Sequence, residues 1–175
     1  MTYKIGQRVS RRIPILALSS IVVFISKVFL PSPIDKFMII LQVIFYTLAN
    51  FMVGRFGGTM TGIVSGLLTQ FWRPAFFPFT FLFALIYGLM IDCFISLFRV
   101  KTSSAPVNTW RLMIALSIAS AILGGASMYV TVMVGMMPWA PSLYLMILIG
   151  GVLNGFAGGY ITAQVWNKYL LKKWR

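Results

Sequence analysis

Residues 53–97 read VGRFGGTMTGIVSGLLTQFWRPAFFPFTFLFALIYGLMIDCFISL. Two apolar runs, Phe56 to Phe71 and Phe79 to Phe98, flank a break marked by Arg73, Pro74 and Pro78. A helix that crosses a bilayer takes about 20 mostly apolar residues, and Pro with a charged residue is an ordinary stop signal. The segment therefore predicts two consecutive transmembrane helices joined by a short aromatic loop.

The same reading extends in both directions. Further apolar runs cover Ile13 to Leu30, Phe37 to Val53, Leu112 to Met137 and Leu143 to Val165. The breaks are Pro31-Ser32-Pro33, Gly54-Arg55, the polar segment Arg99 to Thr109, and Pro138-Trp139-Ala140-Pro141. The expected fold is all-α, an integral membrane protein of about six transmembrane helices forming a single domain over residues 1–175. Composition points the same way: 59% of the residues are hydrophobic and 10% charged, against roughly 25% charged in a soluble domain. Such a chain lacks the polar side chains to cover a water-facing surface.

Fifteen bases against two acids give a net charge of +13. In a soluble protein this suggests nucleic acid as a partner, but the positions of the bases point elsewhere. With six spans, Lys4, Arg8, Arg11, Arg12, Arg55, Arg99, Lys101, Arg111, Lys168, Lys172, Lys173 and Arg175 fall on one side of the membrane. Lys27, Lys36 and Arg73 fall on the other. Basic residues near span ends accumulate on the cytoplasmic side, so both termini are expected inside, in a multi-pass protein of the plasma membrane. The basic ends then act as topogenic charge and attract anionic headgroups of membrane lipids; nucleic acid is not expected. Arg11-Arg12 before an apolar run resembles a twin-arginine export signal, but no small-residue cleavage site follows.

Glycines recur every fourth residue: Gly54, Gly58, Gly62 and Gly66 on the third span, Gly151, Gly155 and Gly159 on the sixth. Each set lines one helix face. Small residues let helix backbones approach closely in lipid, either within the bundle or against a partner, and both uses stand open. A broken or partly re-entrant third span is a further alternative.

The chain contains no His, no Glu, one Cys and only two acids, Asp35 and Asp92. A metal site wants several His, Cys or carboxylate ligands, and acid/base catalysis wants a converging pair. Neither metal, cofactor nor enzymatic activity is expected. Without a GxxxxGK[ST] segment the chain does not hydrolyse ATP by itself. Cys93, inside a span, is read as packing. Asp92 is also intramembrane and hence a functional candidate by default; the readings are an ion pair with Arg55 or Arg99, a partner contact, or a proton-coupling site.

Aromatic residues gather at the outer face: Phe71, Trp72, Phe76 and Phe77 around Arg73, and Trp139 after the fifth span. Aromatic rings with isolated polar groups suit a flat organic ligand; an interfacial aromatic belt is the competing explanation. Tyr87, Tyr129, Tyr144 and Asn154 lie on helices that feed this face.

The segment from Val53 to Leu97, with the last span LIGGVLNGFAGGYITAQVWNKYL, resembles the substrate-binding S components of energy-coupling factor (ECF) transporters. These are small six-helix membrane proteins with both ends cytoplasmic. The resemblance implies an S-component-like bundle that captures a vitamin or vitamin precursor from outside for an ABC-type importer. It implies as partners a transmembrane coupling subunit and two cytoplasmic ATPase subunits. Trp72, Arg73, Phe76 and Phe77 match the family's ligand-covering loop, and Tyr87, Tyr129, Trp139, Tyr144 and Asn154 its pocket helices. Ala17, Gly54, Gly58, Gly62 and Gly66 fall on helices that face the coupling subunit. The first helix departs from the family pattern, because Ala17 is followed four residues later by Ile21; Ser19 and Ser20 stand nearby. Absence of His disfavours nickel and cobalt as substrate, leaving a thiamine-like, riboflavin-like or flavin-precursor compound. Two other classes remain open: a small structural subunit of a larger membrane complex, and a secondary transporter that uses Asp92.

Overall fold

The computed structural model describes residues 2–29, 39–72, 74, 78–100, 106–135 and 138–174, with side chains described from Arg12 to Lys172. Among the described residues the chain is all-helical. The helices are α1 (Thr2–Val28), α2 (Ile39–Val53), α3 (Gly57–Trp72), α4 (Phe79–Leu97), α5 (Thr109–Met133) and α6 (Pro141–Val165). A wide π turn, Trp166–Leu170, carries α6 into the short α7 (Leu171–Trp174). Among the described residues, three helical stretches are long and apolar enough to cross a membrane: Phe79–Leu97, Thr109–Met133 and Pro141–Leu170. The apolar α2 is shorter, at 15 residues. α3 is one uninterrupted helix of 16 residues, roughly 24 Å long at 1.5 Å per residue.

The helix ends follow from local chemistry. Asn108 caps α5, its side-chain oxygen accepting from the Arg111 N–H at 3.3 Å, as a short polar side chain does for the orphan donors of a first turn. Pro141 opens α6, where a missing N–H costs nothing. Gly54 ends α2 with φ of +123°, a conformation closed to residues with a Cβ. Its N–H bonds to the Asn50 carbonyl at 3.0 Å and its carbonyl accepts from Gly57 at 2.7 Å, so α3 starts soon after α2 stops.

Backbone contacts group the chain into two compact units, Met1–Cys93 and Phe94–Arg175. In the first, α1, α2 and α3 pack on one another and α4 closes on α3. The glycine stripe of α3 makes that closure. A Cβ on Gly62 would lie 2.5 Å from the Ala84 carbonyl oxygen, one on Gly66 2.9 Å from the Ala84 Cβ, and one on Gly58 would collide with Asp92 and the Gly88 carbonyl. Gly88 completes the crossing from the α4 side, facing the Gly58 carbonyl. Tyr46 fills the core between these helices, fully buried. Its hydroxyl lies 3.3 Å from both Ser65 Oγ and the Ala84 carbonyl.

In the second unit, α5 and α6 run antiparallel along the other glycine stripe. Gly151 faces the Ser120 carbonyl, Gly155 the backbone of Leu116 and Ser117, and Gly159 that of Met113. Ser117 Oγ donates across the pair to the Val152 carbonyl at 3.2 Å. Beyond the helices, the Asn167 side chain pairs with both backbone groups of Val107: Val107 N–H donates to Oδ1 at 2.8 Å and Nδ2 donates to the Val107 carbonyl at 3.0 Å. Asn167 lies in the π turn, where the Leu171 N–H reaches back five residues to the Trp166 carbonyl. Asn167→Ala strands both backbone groups of Val107, itself a buried residue. A loss of about 1–3 kcal/mol is expected, measured by thermal unfolding in detergent. Gln164→Ala, at a half-buried position one turn earlier, is the matched control.

Candidate functional site

The most organised polar group lies at the start of α3. Asp92, on α4 and 5% exposed, accepts four hydrogen bonds. Asn50 Nδ2 donates to Oδ1 at 2.7 Å and Gly58 N–H to the same oxygen at 3.1 Å. Thr59 donates to Oδ2 through its N–H and its hydroxyl, both at 2.7 Å. Gly58 and Thr59 belong to the first turn of α3, whose N–H groups have no partner within the helix. The residue before the helix is Phe56, which offers no capping oxygen, so the cap comes from another helix. The positive end of the helix dipole adds to the attraction. Gly58 and Gly88 make the arrangement sterically feasible, since they let α4 approach until Asp92, one turn beyond Gly88, reaches the α3 terminus.

The ion pair with Arg55 or Arg99 is one expected role for this carboxylate. Arg55 and Arg99 are exposed, and neutral donors occupy the carboxylate in place of their head groups. Arg55 takes part through its backbone, its carbonyl accepting from the same Asn50 amide at 3.2 Å. Four acceptor positions is about the capacity of a carboxylate. Asp92 thus ties α2, α3 and α4 together at one end of the first unit. Asn50 is a site residue that the sequence marks only weakly, as an amide in an apolar helix that wants a polar partner.

The residues expected to dock a partner separate into two kinds. Gly58, Gly62 and Gly66 face α4, so a partner reaches them only by displacing that helix. Ala17 is exposed on α1, beside exposed Leu18 and Ile21. Gly54 is half-buried in the α2–α3 turn, with nothing within 4 Å of a Cβ placed there.

The residues expected to line a substrate site also divide. Trp72 is exposed at the end of α3, its ring 6.2 Å from that of Phe29 at the end of α1. Arg73, Phe76 and Phe77 lie outside the described residues. Tyr87 is buried in the core of the first unit, edge-on to Tyr46 at 5.4 Å, so it supports the packing there instead of facing outward. In the second unit, Trp139 is exposed and stands 6.0 Å from Tyr144. Tyr144 reaches over Gly125, its hydroxyl 3.1 Å from where a Cβ there would sit. Tyr129 is exposed on α5. Asn154 is half-buried on α6.

Each unit therefore presents aromatic rings at one end. In the second unit that end is uncharged, since no acid or base occurs between Leu112 and Asn167. Among the described residues no group of three or more His, Cys, Asp or Glu converges as a metal site. Comparisons of the chain with known protein families, with characterised proteins and with solved structures find no match.

Proposed function

We propose that the chain is a six-span membrane protein with both termini cytoplasmic that captures a flat, vitamin-like organic molecule from outside, as the substrate-binding subunit of an ECF-type importer. The observation that carries this reading is the exposed aromatic end of each unit: Trp72 beside Phe29 in one, Trp139 beside Tyr144 in the other. Exposed, paired rings offer a planar ligand stacking surfaces with little further ordering cost. Energy would come from the partner ATPases, with the outward α1 face around Ala17 as the part of the docking surface still free. The Asp92 network favours this over ion-coupled transport, because a carboxylate filled by four donors serves as a helix cap without any coupling ion.

A thermal-shift and tryptophan-quenching screen against water-soluble vitamins and their precursors tests the proposal. A true ligand raises the unfolding midpoint by mass action, and Trp139→Ala weakens its binding about tenfold, the equivalent of about 1.4 kcal/mol. Absence of any hit, with the protein copurifying in a large membrane assembly that lacks ATPases, would instead make it a structural subunit.

A further inference from the structure

At the other end of the second unit, Thr109, Trp110 and Met113 of α5 and Phe156, Ala157 and Tyr160 of α6 enclose an open groove of about 410 Å³. Trp110 and Phe156 meet edge to face across it at 6.3 Å. All lining residues but Thr109 are apolar or aromatic, and the groove lies on two helices that are each long and apolar enough to cross a membrane. A water-soluble ligand finds no polar anchor on such walls, whereas a hydrocarbon chain needs none.

The charges in this part of the sequence are one-sided. Residues 94–175 contain seven bases, Arg99, Lys101, Arg111, Lys168, Lys172, Lys173 and Arg175, and no acid. All seven precede Leu112 or follow Asn167, and Asn167 ties the start of α5 to the end of α6 through Val107. The unit has no carboxylate side chain of its own to neutralise them. Arg111, exposed and next in sequence to Trp110, stands in the first turn of α5, where the helix dipole also favours an anion. Bases at a membrane surface attract anionic lipid headgroups.

We infer that an anionic phospholipid of the surrounding bilayer occupies this site, one acyl chain in the Trp110–Phe156–Tyr160 groove and its phosphate on Arg111. The site requires only that α5 and α6 lie in a bilayer; it does not depend on vitamin capture or on any transport role.

The protein is reconstituted in nanodiscs with phosphatidylglycerol or phosphatidylcholine carrying a dibrominated acyl chain. Quenching of Trp110 is read as the fluorescence component lost in Trp110→Phe. Brominated phosphatidylglycerol is expected to quench that component at a mole fraction about fivefold lower than brominated phosphatidylcholine, the scale of one basic contact. Arg111→Gln should make the two lipids equivalent, and Ala157→Leu, which fills the groove, should weaken quenching by both. Native mass spectrometry from detergent should show one phosphatidylglycerol retained by the parent protein and by Ala157→Ser, and lost from Ala157→Leu. Equal quenching by the two lipids in the parent protein, or quenching indifferent to Ala157→Leu, would mean unselective contact with bulk lipid and overturn the inference. No quenching of Trp110 by either lipid would overturn it as well, by showing the groove covered by protein.

Discussion

Asp92→Ala is expected to lower the unfolding stability of the protein in detergent by about 3–5 kcal/mol, the scale for removing one member of a buried hydrogen-bonded charge network. The loss has identifiable parts. The Asn50 amide, the Gly58 and Thr59 N–H groups and the Thr59 hydroxyl each donate to this carboxylate. Without it the first turn of α3 is left uncapped. Asp92→Asn keeps the volume but presents an NH₂ group to donors, so it should recover only part of the loss. Asn50→Ala should cost less, because Gly58 and Thr59 still hold the carboxylate. The Asn50→Ala/Asp92→Ala double variant should be less destabilised than the sum of the single ones, as for any pair sharing one network. Equilibrium unfolding of the four variants beside the parent checks this. An Asp92→Ala protein that melts like the parent yet fails in transport would overturn the capping role and reinstate ion coupling.

Gly155→Ala is expected to destabilise by about 1–3 kcal/mol, the usual cost of an extra methyl group forced into close packing. The methyl would collide with the Leu116 carbonyl and the Ser117 Cα, so α5 and α6 would have to separate over their shared length. Separation also stretches the Ser117–Val152 hydrogen bond. Gly150→Ala on the same helix is the control, since nothing lies within 4 Å of a Cβ there. It should be neutral or stabilising by up to about 1 kcal/mol through helix propensity. Thermal unfolding of both variants should therefore shift in opposite directions or by clearly unequal amounts. Equal shifts would show that the glycine face of α6 is not the contact with α5.

Much of the secondary structure was legible along the chain. The six apolar runs appear as six helices, with the ends of the second to fourth within a few residues of the expected ones: Val53 closes α2, Gly57 opens α3 and Phe79 opens α4. Length and apolarity are local properties, and Gly, Pro and charged residues mark the breaks where they occur. The first helix departs most, since α1 begins at Thr2 and includes Pro14; a basic beginning carries no apolar signal. The candidate site was less legible. Trp72, Tyr129 and Trp139 are exposed and Tyr87 is buried, a difference the sequence does not carry, because a tyrosine in an apolar helix reads alike whether it faces outward or packs on another ring.

The sequence by itself determined the helical class, the positions of the breaks, the two glycine faces and the charge asymmetry of residues 94–175, because each is carried by composition or by a period within one segment. Only the tertiary structure decided what those faces meet. A period of four defines a stripe without naming its neighbour, and the neighbours are α4 for Gly58, Gly62 and Gly66, and α5 for Gly151, Gly155 and Gly159. It likewise decided that Asp92 serves α3. That carboxylate is 33 residues from Thr59 and 42 from Asn50 along the chain, and the bonds form because two glycines let the helices approach until a carboxylate on one reaches the unsatisfied N–H groups of the other.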